Sequence, residues 1–150
     1  MEQSLVLIKP DAIQRGLAGT IIDRLERRGL KLVAMKMIHM NKALAKQHYA
    51  IHTGKPFFEG LVNYITSSPI IAAVFEGKRA VEIIRQAMGA TDPAKAEAGS
   101  IRGDFGLDIG RNLVHGSDSV ENAGKEISLF FSPGEILSYH REIDNWITES

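Results

Sequence analysis

An α/β sandwich, with helices laid on a sheet of about four strands, is the fold class this sequence predicts. Three observations carry the prediction. Short apolar runs bounded by turn residues recur at Ser4-Leu5-Val6-Leu7-Ile8, Leu30 to Met40, Ile70 to Phe75 and Ile127 to Phe131. Stretches of helical periodicity separate them. A length of 150 residues with 44% hydrophobic and 24% charged side chains is the balance of one globular domain, expected over 1–150.

The elements follow in order. Ser4 to Ile8 reads as a strand buried on both faces, stopping at Lys9-Pro10-Asp11. Between Gly19 and Gly29, Ile21, Ile22 and Leu25 lie on one side, with Asp23, Arg24, Glu26, Arg27 and Arg28 on the other. That is an amphipathic helix, and Gly29 stands where a C-terminal glycine belongs. Leu30 to Met40 alternates as a long strand; Asn41 caps a helix through Ala50, and Phe58 to Ile65 forms another. Pro69 opens the strand Ile70 to Phe75, and Val81, Ile84 and Met88 repeat at helical spacing in Lys78 to Met88. Gly89 to Asn112 is weakly periodic, and a loop of that length inside a compact domain is usually functional. Asp118-x-x-Glu121 predicts an N-cap for a helix to about Lys125, before a strand at Ile127 to Phe131 and an apolar tail from Gly134. This order favours the split β-α-β arrangement of ferredoxin-like folds, βαββαβ with a four-stranded antiparallel sheet.

Composition narrows the function. Eighteen basic side chains balance 18 acidic ones, which argues against a nucleic-acid partner. The longest apolar run, Ile70 to Phe75, is far short of the ~20 residues that span a bilayer, and Met1-Glu2-Gln3-Ser4 lacks the charged start of a secretory signal. A cytoplasmic location is expected. The absence of cysteine excludes thiol catalysis and cysteine-ligated zinc.

Candidate chemistry concentrates in three places. Asn112 to Ser119 sets His115 before a predicted helix N-terminus, where free N–H groups attract anions, and Gly116 allows close approach to a ligand. Imidazoles, ordinarily near pKa 6.5, are substantially unprotonated at pH 7 and are competent nucleophiles. The residues alone leave open the alternative of a packed histidine beside the cap residues Ser117, Asp118 and Ser119. Arg85, Thr91, Arg102 and Gly103 suit a polyphosphate, since guanidinium forks match phosphate oxygens, or are surface arginines paired with Asp92, Asp104 or Asp108. Lys9-Pro10-Asp11, His48-Tyr49 and Lys55-Pro56-Phe57-Phe58 form the third group, with Phe57 either a stacking platform or core. No G-x-x-x-x-G-K-[ST], G-x-G-x-x-G or H-E-x-x-H occurs. His48 and His52 stand four apart, but with no evident third ligand no protein-held metal is expected.

Taken together these segments resemble the nucleoside diphosphate kinases over nearly the whole chain. Lys9-Pro10-Asp11 with Gln14-Arg15-Gly16, Lys55-Pro56-Phe57-Phe58, Ile101-Arg102-Gly103-Asp104-Phe105 and Asn112-x-x-His115-Gly116-Ser117-Asp118-Ser119 occur in the family's order. The last is highly specific to it. Ala12-Ile13 and Ser100 stand where Gly-Val and Thr are frequent. The resemblance implies γ-phosphate transfer from a nucleoside triphosphate to a diphosphate in two steps through a phosphohistidine at His115, on Nδ1 by family usage. It implies that Glu126 and Ser117 hold the imidazole, and that Tyr49, His52, Arg85, Thr91 and Arg102 take the phosphates. Lys9 and Asn112 would hold the sugar hydroxyls, Lys9 also the transferring phosphate. Phe57 would stack the base, with Leu61, Ile109 and Gly116 around it. Mg²⁺ would arrive on the nucleotide phosphates. The implied partners are ATP, GTP, CTP, UTP, dTTP and their deoxy and diphosphate forms, and further copies of the chain, a hexamer favoured over a tetramer.

Overall fold

The computed structural model describes residues 1–149. Strand β1 (Glu2–Ile8) is followed by the short helix α1 (Pro10–Gln14) and by α2 (Ala18–Arg27). Strand β2 (Lys31–Ile38) leads to helices α3 (Lys42–His48) and α4 (Phe58–Ile65), then β3 (Ile70–Gly77) and α5 (Ala80–Met88). The segment from Gly89 carries α6 (Ile101–Phe105) between two 3₁₀ turns and ends at β4 (Val114–Gly116) and α7 (Val120–Phe130). The strands pair antiparallel in the order β2-β3-β1-β4. This is the expected four-stranded ferredoxin-like sheet. No described helix is long and apolar enough to cross a membrane.

Strand β1 is buried on both faces because helices cover both sides of the sheet. Leu5, Leu7, Ala72 and Val74 pack with Ala45, Phe58, Val62, Ile65, Ile127 and Phe130 from α3, α4 and α7. Val6, Ile8, Ala73, Phe75 and Val114 pack on the other face with Ile21, Leu25, Ile84 and Met88 from α2 and α5. A register shift between Leu32 and Ala34 lets Val33 and Ala34 join the first face together. Gly29 takes φ +102°, the left-handed conformation expected after α2.

Three expectations need correction. Ile127 to Phe131 is not a strand: α7 runs on to Phe130, placing Ala123, Ile127 and Phe130 on one buried stripe at helical spacing. The fourth strand is instead Val114–Gly116, so His115 lies on a strand and not at a helix mouth. The cap of α7 is Ser119, whose side chain accepts from the Asn122 amide; Asp118 accepts from the Asn122 side chain at 2.6 Å. The tail packs on its own chain beside β2. Arg141 donates to the carbonyls of Gly29 and Leu30, and the Leu137 amide donates to Val33. Trp146 remains 90% exposed.

Candidate active site

The histidine's orientation follows from strand registry. His115 pairs with Leu7 across β1 and β4, so both side chains rise from the face covered by α3, α4 and α7. Its neighbours Val114 and Gly116 point to the opposite face, and a Cβ at Gly116 would lie 2.9 Å from Ile84 Cγ2. Glycine there lets α5 close on β4. Two turns into α7, Glu126 reaches back to His115: Oε1 accepts from Nε2 at 2.8 Å and from Ser117 Oγ at 2.7 Å. A carboxylate only accepts, so the proton is assigned to Nε2 and the lone pair of the neutral ring to Nδ1. Burial raises the Glu126 carboxyl, but the bonds from His115 and Ser117 and their charge environment outweigh it and hold its pKa low.

Lys9-Pro10-Asp11 acts as a clamp on the chain entering β4. Lys9 N donates to Leu113 O, Lys9 Nζ to Asn112 Oδ1 at 2.8 Å, and Leu113 N to Asp11 Oδ2 at 3.0 Å. Tyr64 closes the Asp11 carboxylate from the other side. The clamp is needed because fully buried Leu113 takes φ +75°, which is unfavourable for a branched side chain and persists only when its surroundings impose it. Arg102, 6% exposed, completes the hold by donating to the carbonyls of Asn112, Gly89 and Val114. Gly103 beside it sits so close to the Glu97 carbonyl that a Cβ would overlap it at 1.9 Å.

These residues open onto a cavity of about 660 Å³ lined by Lys9, Tyr49, His52, Arg85, Thr91, Arg102, Asn112, His115, Gly116 and Glu126. Ten of the 14 sequence-predicted residues therefore converge there, and Ser117 stands behind Glu126. Phe57, Leu61 and Ile109 do not line it; half-exposed Phe57 packs edge-on to His52 at 5.2 Å, and Ile109 is exposed on its 3₁₀ turn. A larger cavity of about 1330 Å³ lies beside α2 and α5, but its Arg24 is engaged by Asp104 at 2.6 Å and no histidine lines it.

Charge in the smaller cavity is predominantly positive. Lys9 is pushed down to about 8 by burial first and by Arg102 second, against the pull of Asp11. Arg102 is lowered to about 10 by burial and by Arg85. Cations crowded into a concave site, each lowered by burial and by a like-charged neighbour, favour a polyanion. His48, singled out in the sequence beside Tyr49 and four residues before His52, proves to be a neighbour of His115, a contact the sequence did not predict. Its ring stands edge-on to His115 with centroids 4.9 Å apart, and burial, then His115, lowers it to about 3. Only the tertiary meeting of α3 with β4 creates this contact. No carboxylate cage for a hard cation lines the cavity among the described residues: Glu126 is engaged, and Asp118 is exposed.

The family model described as nucleoside diphosphate kinase matches residues 2–136. A nucleoside diphosphate kinase of Roseiflexus sp. is 56% identical over 149 residues, 99% of this chain and 100% of that one. One from Dehalococcoides mccartyi is 60% identical over 141 residues, covering 94% and 99%. Among solved structures, a halophilic nucleoside diphosphate kinase from Halobacterium salinarum in complex with CDP superposes with a TM-score of 0.95 at 48% identity, covering 98% of each chain. A family protein from Babesia bovis gives 0.96 at 41% identity, covering 99% of this chain and 100% of that one. With fold, motif order and full-length identity in agreement, the chain belongs to the nucleoside diphosphate kinase family of phosphotransferase enzymes.

Proposed function

We propose that this enzyme moves the γ-phosphate of a nucleoside triphosphate to a nucleoside diphosphate by a ping-pong route through phosphohistidine at His115. The observation that carries the reading is the Glu126 bond to Nε2, which leaves the Nδ1 lone pair free. That lone pair forms the N–P bond as the bond from γ-phosphorus to the β,γ-bridging oxygen breaks. The diphosphate leaves with the electron pair, and the second half-reaction reverses these events with a new diphosphate. Lys9, Arg85 and Arg102 offset the charge on the transferring and leaving oxygens, Tyr49, His52 and Thr91 bind the phosphates, and Lys9 and Asn112 hold the sugar. Gln14-Arg15-Gly16 and the tail lie outside this chemistry.

The substrate is the magnesium complex of the nucleotide, whose phosphate oxygens supply the ligands that the cavity lacks. CDP is the nucleotide in the Halobacterium salinarum complex. Phe57, Leu61, Ile109 and Gly116 carry no side-chain donor or acceptor, so stacking without edge readout gives broad base acceptance across ATP, GTP, CTP, UTP and dTTP and their deoxy forms. The assembly is a homo-oligomer of one-domain subunits, a hexamer before a tetramer, supported by the exposed Met35, Met37 and Trp146 on and beside edge strand β2. The deciding experiment incubates the enzyme with γ-labelled ATP and Mg²⁺ and then with an unlabelled diphosphate. An acid-labile, alkali-stable protein phosphate should form and transfer, and His115→Gln should abolish it. Labelling that survives in His115→Gln would move the nucleophile elsewhere.

A further inference from the structure

We propose that His48, His115 and Glu126 form a binding site for a divalent transition cation such as Zn²⁺, and that its occupancy shuts off phosphate transfer. The three side chains come from α3, β4 and α7, and one donor atom from each falls within 4.8 Å of the others. A tetrahedral zinc ion with bonds of ~2.0–2.1 Å needs donors about 3.3 Å apart. The 4.8 Å limit on the donor separations admits that value, and the His115 Nε2–Glu126 Oε1 approach of 2.8 Å shows how closely two of the side chains already meet. Small side-chain rotations close the set.

Two imidazoles and a carboxylate with a fourth position open to the cavity are a donor set suited to zinc and poorly suited to Mg²⁺, which takes oxygen ligands and dehydrates reluctantly. His48 adds an independent pointer. Its Nδ1 is buried without a hydrogen-bond partner, so no group of the chain competes with an ion for that ring nitrogen. Where His115 binds through Nε2, the proton now given to Glu126 passes to Nδ1, so the ring stays neutral and the lone pair that would attack phosphorus is taken. An ion held there takes His115 and Glu126 out of their mutual bond. The inhibitory consequence rests on His115 being the nucleophile; the binding does not.

The test titrates Zn²⁺ alone into the enzyme at neutral pH and follows heat, with unfolding temperature recorded for every variant. One equivalent should bind, and His48→Gln and His115→Gln should each weaken it by about a hundred-fold, the upper end of what even an outer-shell partner contributes. His39→Gln and His140→Gln should leave it unchanged. Co²⁺ bound to the unaltered enzyme should show the intense visible absorption of a four-coordinate ion. Unchanged zinc affinity in both His48→Gln and His115→Gln, or only the pale six-coordinate cobalt spectrum, would overturn the proposal. In excess Mg²⁺, phosphoenzyme formation should fall in step with zinc occupancy. Zinc bound at full occupancy with undiminished phosphorylation would support the site and overturn the assignment of His115.

Discussion

Replacing Glu126 with alanine isolates what the fixed imidazole contributes. The variant removes one acceptor oxygen that receives two hydrogen bonds, from His115 Nε2 at 2.8 Å and from Ser117 Oγ at 2.7 Å. Hydrogen bonds to a charged group contribute about 1.5–3 kcal/mol, and only the His115 bond bears on ring orientation and tautomer. Losing it should therefore slow phosphorylation by roughly 10- to 150-fold. Glu126 lines the cavity edge and is not itself a phosphate ligand, so nucleotide affinity should change by less than about three-fold. Single-turnover phosphorylation by labelled ATP, with nucleotide affinity measured in parallel, separates the two quantities. The same bond gives a pH signature: because the Glu126 pKa is lowered, its contribution is present above the ordinary carboxylate range and lost as pH falls through the lowered value. A Glu126→Ala enzyme that phosphorylates His115 within two-fold of the wild-type rate would refute the claim that Glu126 sets the attacking nitrogen.

Other perturbations probe the rest of the site. Arg85→Ala, on an exposed position of α5, should weaken all nucleotides by roughly ten- to a hundred-fold with little change in unfolding. Arg102→Ala should do the same and also lose about 3–5 kcal/mol of stability, because its guanidinium holds three backbone carbonyls; equal stability of the two variants would contradict this division. Phe57 is 50% exposed, so Phe57→Ala should raise KM for every base while leaving Tm nearly unchanged; a loss of ~3–5 kcal/mol would mark it as core instead. Lys9 sits near 8 in the free enzyme, so nucleotide affinity should fall as pH rises through about 8, with proton uptake on binding above that pH. Calorimetry in buffers of different ionisation enthalpy reads the uptake directly, and none between pH 8 and 10 would remove Lys9 from the phosphate site.

Much of this was legible in the residues, for physical reasons that also mark where legibility ends. Ile70 to Phe75 reads as a strand because it is short, apolar and bounded by Pro69 and Gly77. Ile127 to Phe131 has the same surface features, yet it continues the helix capped at Ser119, whose buried stripe of Ala123, Ile127 and Phe130 it completes. An apolar run of that length does not distinguish the two states. Strand β4 is three residues long, too short for alternation to register, and exists because Val6, Leu7 and Ile8 supply its partners. Lys9 and Arg102 were recognisable by motif as candidate phosphate residues, but not their hold on the Asn112–Leu113 turn. His48 stood out beside Tyr49 and His52, but its contact with His115 is a product of packing and carried no local signal.

The hold on the Asn112–Leu113 turn ties stability to function within single side chains. The turn that presents His115 contains a buried leucine at φ +75°, and it is held by one carboxylate, one lysine and one arginine. Two of those three are cations whose pKa is lowered in the cavity, Lys9 by burial and Arg102, and Arg102 by burial and Arg85. The free enzyme thus carries an unfavourable charge arrangement. For Lys9 the burden is complete below about pH 8 and is relieved as pH rises toward 10.5, since in that window the unfolded chain binds more protons. A polyphosphate removes the same burden at neutral pH by supplying the missing anion. Binding should consequently tighten the very turn that presents His115, and saturating nucleotide should slow amide hydrogen exchange at Leu113 and Val114 more in the wild-type enzyme than in Arg102→Ala. Equal slowing of exchange in the two enzymes once occupancy is matched would show that the turn is held independently of the phosphate charge.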